Sequence, residues 1–169
     1  MSKILVRHFQ PEDSLELLTE LVHQAYAPHA ALGLRYWGTH QTVSDTAQRL
    51  ASGYGFVAEV EGKIAGTITL RPPQPDSTVA LYRDVHTWSI GQFAVAPARK
   101  GFGVGVALHE HVLEAARLKG GRRIALDTAV LAEGLISMYR RWGYEIVGEH
   151  DWRPHTNYLS VLMMRPLVD

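Results

Sequence analysis

Phe93-Ala94-Val95-Ala96-Pro97-Ala98-Arg99-Lys100-Gly101-Phe102-Gly103-Val104-Gly105-Val106-Ala107-Leu108 is the stretch on which the fold of this chain turns. It opens on a short apolar run rich in strand formers, and Pro97 ends any ladder there because it has no N–H to donate. Two cations follow, then glycines at positions 101, 103 and 105, then a helical pattern free of glycine until Gly120. The segment reads as strand, tight loop, helix start. Glycine lets backbone N–H groups approach a ligand closely. The first N–H groups of a helix lack internal partners and lie at the positive end of its dipole. Such a loop suits phosphate, and Arg99 and Lys100 add positive charge at its entrance.

Two familiar phosphate patterns do not fit. No Gly-Lys-Ser/Thr triplet stands where a P-loop needs it. The dinucleotide pattern G-x-G-x-x-G/A fails as well, since its third position falls on Val106 when counted from Gly101 and on Leu108 when counted from Gly103.

Working outward, Lys3 to Phe9 reads as a strand, and Pro11 as a first helical position before Leu15, Leu18, Val22, Ala25 and Tyr26 at helical spacing. Residues 28–40 are broken and aromatic, and Thr42 to Leu50 is a short second helix. Gly55 to Val60 and Lys63 to Leu70 are strands joined by Glu61-Gly62, and residues 71–77 form a loop by composition. Trp88 to Val95 is the strand feeding the glycine loop. The helix from about Val104 is expected to bury Val104, Leu108, Val112 and Ala115 and to stop at Gly120-Gly121. Arg123 to Asp127 is a buried-type strand, Glu133 to Trp142 a short helix, and Tyr144 to Gly148 and Leu159 to Met164 are closing strands. The order β-α-α-β-β-β-α-β-α-β-β implies an α/β arrangement with a mixed sheet.

Composition narrows the function classes. The 169 residues suit one domain spanning 1–169. Seventeen basic residues balance seventeen acidic ones, which argues against a nucleic-acid or membrane-surface binder. The chain has no cysteine, so thiolate catalysis and cysteine metal sites drop out. His109-Glu110-His111 is not a metal fragment, because helical residues two apart face different ways. No metal is expected. The N-terminus lacks an apolar signal core, and no run is long enough to span a membrane, so the expected location is cytoplasmic.

Two segments carry a family resemblance. Lys100-x-x-Gly103-x-Gly105, preceded by Val95-Ala96-Pro97, resembles the pyrophosphate loop Gln/Arg-x-x-Gly-x-Gly/Ala of the GNAT acyltransferases, with Lys in place of Gln/Arg. Met138-Tyr139-Arg140-Arg141-Trp142-Gly143-Tyr144 resembles the Leu-Tyr-x-x-x-Gly-Phe segment of the same family. The order of elements agrees along the whole chain. The resemblance implies a mostly antiparallel sheet of about seven strands flanked by about four helices, with acetyl-CoA as acyl donor. It implies that Phe93, Ala94 and Val95 pair with the pantetheine amides. It also implies that Lys100, Gly101, Phe102, Gly103, Val104, Gly105 and Val106 form the cofactor loop.

By the same resemblance Tyr139 is the catalytic residue, protonating the departing thiolate. The chemistry is sound, because a phenol with pKa near about 10 is a reasonable partner for a basic thiolate. A Tyr in this place could equally be half-buried helix packing. The family's Asn seven residues before that Tyr is Ala132 here, so one contact to the cofactor is absent or comes from Thr128 or Ser137.

For the proton on the acceptor amine, Glu59, His86, Gln92 (through a water) and Glu149 are candidates, and none stands out. Arg140 and Arg141 are read as a solvated helix end more readily than as partners of the 3′-phosphate. Tyr36, Trp37, Trp88, Trp152, His155 and Tyr158 fall in segments expected to line the acceptor cleft, with packing the plainer role for most. The expected activity is transfer of an acetyl group from acetyl-CoA to a primary amine of a small molecule or peptide, by a monomer or homodimer. The alternatives are a non-catalytic acyl-CoA-binding module and a Rossmann-type nucleotide binder, the latter resting on Asp127 as a ribose-binding acid.

Overall fold

In the computed structural model, residues 2–167 are described and form one open seven-stranded sheet in the order β1-β2-β3-β4-β5-β7-β6. The strands are β1 (Ile4–His8), β2 (Tyr54–Val60), β3 (Lys63–Arg71), β4 (Thr87–Val95), β5 (Arg123–Ala129), β6 (Glu145–Asp151) and β7 (Leu159–Pro166). The helices are α1 (Leu15–Ala31), α2 (Val43–Ala51), α3 (Ala80–Arg83), α4 (Val104–Leu118) and α5 (Glu133–Arg141). Every neighbouring pair is antiparallel except β4 and β5, which α4 joins as a βαβ unit. The expected element order and mixed, mostly antiparallel sheet are present, with the single turn of α3 added.

Local chemistry explains most boundaries. Ser14 caps α1 by accepting from the Leu17 N–H. Thr42 and Asp45 form a reciprocal capping box at α2: Asp45 N–H donates to Thr42 Oγ1 at 3.0 Å and Thr42 N–H to Asp45 Oδ2 at 2.9 Å. Glu61 and Gly62 both have positive φ, 53° and 77°, as a two-residue hairpin turn requires. At the end of α4, Gly120 (φ +89°) takes the left-handed position while Gly121 N–H reaches back to the Ala116 carbonyl at 2.9 Å.

Three details differ from expectation. Pro11 lies in a turn ahead of α1, which begins only after Ser14. The same helix runs through Pro28 to Ala31, so residues 28–31 are not broken; packing outweighs the lost backbone bond. On α4 the buried position is Ala116, with Ala115 half-buried, and His109 joins the buried face.

Alternation along the strands sends side chains to two layers of helices. On one face Phe56, Ile68 and Leu70 meet Val104, Leu108 and Val112 of α4 and Ile136 and Tyr139 of α5. On the other, Val57 packs with Leu18 of α1 and Leu50 of α2. Fully burying a side chain such as Leu108 contributes roughly 1.5–3 kcal/mol. Among the described residues no helix is long and apolar enough to cross a membrane.

Candidate active site

The site begins with a defect in the sheet. β4 and β5 pair in parallel only at Thr87–Arg123, Trp88–Ile124 and Ser89–Ala125. Beyond Ser89 the strands part, leaving one edge of Ile90 to Val95 without a neighbouring strand. On the other edge, the register against β3 slips between Thr67 and Thr69. Gln92 and Phe93 therefore stand opposite Ile68 alone, a bulge, and Gln92 has a positive φ of 48°.

Two cavities meet in the resulting cleft. The first, about 600 Å³, is lined by Phe93, Ala94 and Val95 of β4, by Lys100, Gly101, Gly103, Val104, Gly105 and Val106, and by Met138, Tyr139 and Trp142 on the α5 side. These include all the expected cofactor residues except Phe102, whose side chain is 69% exposed and faces solvent. Gly103 caps α4 at φ +86° with no side-chain cap, so the first N–H groups of the helix are left for an anion. Arg99 is engaged by Glu61 at 3.1 Å, whereas Lys100 forms no ion pair among the described residues. A free strand edge, a helix N-terminus stripped of side chains and one uncommitted cation fit the amides and pyrophosphate of an acyl-CoA.

The second cavity, about 410 Å³, lies beyond the bulge and is lined from both layers of helices and by β3, β4, β5 and the segment before β7. Tyr36, Trp37, Trp152, His155 and Tyr158 line it, as the sequence suggests, but Trp88 does not: it packs in the core. Thr128 faces this cavity and is bonded to Tyr36 Oη at 2.9 Å, and Ser137 is exposed, so neither replaces the missing Asn on the cofactor side. Ala132 caps α5 and packs with Leu34, Tyr36, Ala129 and Tyr158. Arg140 and Arg141 are exposed in the last turn of α5 and line neither cavity.

Four residues, Tyr26, Phe93, Leu135 and Tyr139, line both cavities. Tyr139 is 7% exposed and held edge-on against Trp142 and Tyr144, with ring centroids 5.8 and 5.5 Å away. Burial pushes its phenol well above 10, so it stays protonated. Tyr26 Oη donates to the Phe93 carbonyl at 3.0 Å, pinning the bulge from α1, and burial raises its own pKa to about 12.

The candidate bases fare unequally. Glu59 is paired with Arg7 at 2.8 Å, and Glu149 is exposed on β6. His86 lies outside both cavities. Gln92 lines the second cavity, but its orientation follows from a chain of bonds. Arg49 can only donate, so Gln41 must turn its Oε1 to Arg49 Nη1 (2.8 Å) and its Nε2 to Gln92 Oε1 (2.8 Å). That leaves Gln92 with a free N–H donor, the opposite of what a proton acceptor needs.

Charged lining residues not legible as such in the sequence include Arg49 on α2, Arg71 at the end of β3, and Asp127 as a wall of the second cavity. Asp127 accepts a 2.5 Å hydrogen bond from Tyr82 Oη, and burial with that neighbouring carboxylate pushes the Tyr82 phenol up. No short-range motif announces these positions. Of the His109-Glu110-His111 fragment, His109 is buried against Tyr144 and His111 packs on Phe56, and no cluster able to hold a metal occurs among the described residues.

The fold and cleft define an acyl-CoA-dependent acyltransferase. The family model for the acetyltransferase (GNAT) family matches residues 15–144, and the chain belongs to that family. It is 34% identical over 146 residues to S-(2-succino)cysteine N-acetyltransferase of Bacillus subtilis, covering 83% of this chain and 84% of that protein. It is 30% identical over 171 residues to S-alkylcysteine N-acetyltransferase of the same organism, covering 99% and 92%. In fold it is similar to a GNAT family acetyltransferase from Elizabethkingia anophelis with acetyl-CoA bound: TM-score 0.68, 18% identity, 96% of this chain and 97% of that one. The protein is an acetyl-CoA-dependent N-acetyltransferase by family, with an amine as acceptor.

Proposed function

We propose that residues 1–169 act as one catalytic unit that moves an acetyl group from acetyl-CoA to the primary amine of a small molecule or peptide, with Tyr139 as general acid. The observation that carries this reading is the position of Tyr139 in the wall common to both cavities. Acetyl-CoA supplies a thioester carbonyl that an amine can attack. Around it, the open edge of Phe93 to Val95 would pair with the amide arm. The N–H groups at Val104, Gly105 and Val106 would meet the pyrophosphate, and Lys100 would add charge. Tyr139 Oη makes no hydrogen bond among the described residues, so its O–H is free at the point where a thiolate would leave. Burial makes the phenol a weaker acid, but the same water-poor setting would make the thiolate a stronger base, which keeps the transfer matched. The names of the two Bacillus subtilis relatives make S-substituted cysteines the first acceptors to try. The aromatic wall of Tyr36, Trp37, Trp152 and Tyr158 suits a thioether side chain.

The test is release of free thiol from acetyl-CoA with a panel of amines, with mass spectrometry of the product. An N-acetylated amine formed only in the presence of enzyme is the expected result. Tight binding of acetyl-CoA with no thiol released for any amine would favour a non-catalytic binding module instead.

A further inference from the structure

The acceptor cavity is built of donors. Two arginines line it, Arg49 and Arg71, and neither pairs with a carboxylate among the described residues. Arg49 Nη1 donates to Gln41 Oε1 at 2.8 Å, and Arg71 Nη2 reaches the Ile90 carbonyl at only 3.4 Å. Among the described residues five buried side-chain atoms lack a hydrogen-bond partner, and three of them belong to this lining: Arg71 Nε, Gln92 Nε2 and Trp152 Nε1. All three are N–H donors. The one carboxylate in the wall, Asp127, is occupied by Tyr82 Oη on one oxygen, so the cavity keeps an excess of positive charge.

Buried donors without acceptors are costly. Two guanidinium groups in one wall also repel each other, and burial, with a smaller push from Arg71, lowers the Arg49 pKa. A ligand with a bare ammonium chain gains nothing from such a wall. A ligand with a planar anion relieves both costs, because a guanidinium fork and neighbouring N–H groups match the two oxygens of a carboxylate.

We infer that the amine acceptor carries a carboxylate, as in an α-amino acid, and that Arg49, Arg71 and the free Nε2 of Gln92 bind it. This rests on the transferase reading for the nature of the second ligand, but not for the anion preference itself. The cavity thus selects amino acids over their amides, over decarboxylated amines and over polycations.

The experiment titrates three probes into protein saturated with coenzyme A, so that nothing reacts: S-methyl-L-cysteine, its carboxamide, and 2-(methylthio)ethylamine. By calorimetry the acid should bind about 10–100-fold more tightly than either neutral-ended analogue, the scale of a hydrogen bond to a charged group. In Arg71→Gln and Arg49→Gln the gap should narrow, through loss of affinity for the acid alone. The comparison among ligands needs no variant, so it survives a misfolded mutant. Equal affinity for acid and amide, or no binding of the acid at millimolar concentration, overturns the inference. Thiol release with acetyl-CoA is then measured on the same three probes. Selective binding of the acid, with no thiol release for it or for any amine of the wider panel, sinks the transferase reading and leaves the anion site standing. Equal turnover of all three sinks the anion site and leaves the transferase.

Discussion

Tyr139 carries the proposed chemistry, and its surroundings set how it behaves. Its ring is wedged edge-on between Trp142 and Tyr144, so replacing it by Phe keeps the packing and removes only the O–H. Tyr139→Phe should leave acetyl-CoA affinity nearly unchanged and lower kcat by roughly 10²–10⁴, the scale of a positioned general acid. Calorimetry and steady-state kinetics on the same preparation check both halves. Wild-type turnover in the Phe variant would return Tyr139 to a packing role. The pH dependence follows from the sign of the shift. Burial raises the phenol above its usual 10, so the acid form persists, and kcat of the wild type should show no alkaline fall up to about pH 10 from this group. A falling limb centred near pH 9 that disappears in Tyr139→Phe would contradict the buried, protonated phenol.

At the scale of the element, β4 does the work of assembly. Its first residues pair with β5, its middle bulges at Gln92, and its last residues present a free edge that runs into the glycine loop. Gly103 is where this loop becomes helix. A Cβ there would meet only Ile4 Cδ1, at 3.9 Å, so the protein has room, but φ +86° strains any other residue by about 1–2 kcal/mol. Gly103→Val should therefore fold, with some loss of stability, while its side chain would crowd the backbone that the pyrophosphate approaches on the proposed reading. Acetyl-CoA binding should weaken at least about tenfold, or 1.4 kcal/mol. Unchanged affinity in a folded variant would remove the loop from the site. On the proposed reading Lys100 would act through charge alone, since no carboxylate among the described residues holds it. Lys100→Ala should weaken acetyl-CoA binding at low salt, and the loss should shrink as salt rises, because an exposed cation–phosphate contact is screened. An equal loss in high salt would make Lys100 structural.

For the whole molecule, the parting of β4 and β5 opens the sheet, and the helices on its two faces close the cleft. On the α4 side one buried polar pair sits within the apolar core: His109 Nε2 with Tyr144 Oη at 2.8 Å, the His109 ring stacked on Trp142. His109 is 3% exposed, and burial lowers its pKa from 6.5 to about 4. A depressed folded-state value means the unfolded chain binds the proton first. The stability this neutral histidine contributes is complete above about pH 6.5 and is lost as pH falls toward 4, on the order of 3 kcal/mol in all. Urea unfolding at pH 7 and pH 5 should show a clear loss at the lower pH, and His109→Gln should flatten it. His29, His40 and His111 are also lowered, so the flattening is partial. An unchanged slope in the variant would mean that His109 is not neutral in the fold.

The sequence by itself determined what depends on local chemistry and on period. The alternation of Phe56, Ala58 and Val60, the Thr42–Asp45 cap, the Glu61-Gly62 turn and the glycines from 101 to 105 are each specified within a few residues. So is the place of Tyr139 on the helix that Gly143 follows. These suffice for the element order and for the donor side of the cleft. Tertiary structure alone decided the rest. Pro28 stays helical because packing outweighs one missing bond. Gln92 becomes a donor because Arg49, far away in sequence, dictates how Gln41 turns. Arg49, Arg71, Asp127 and Thr128 share a cavity only because β4 and β5 part beyond Ser89, which brings side chains from α2, β3 and β5 around one space. No pattern within a single element encodes that meeting, since it is set by register and burial across the whole sheet.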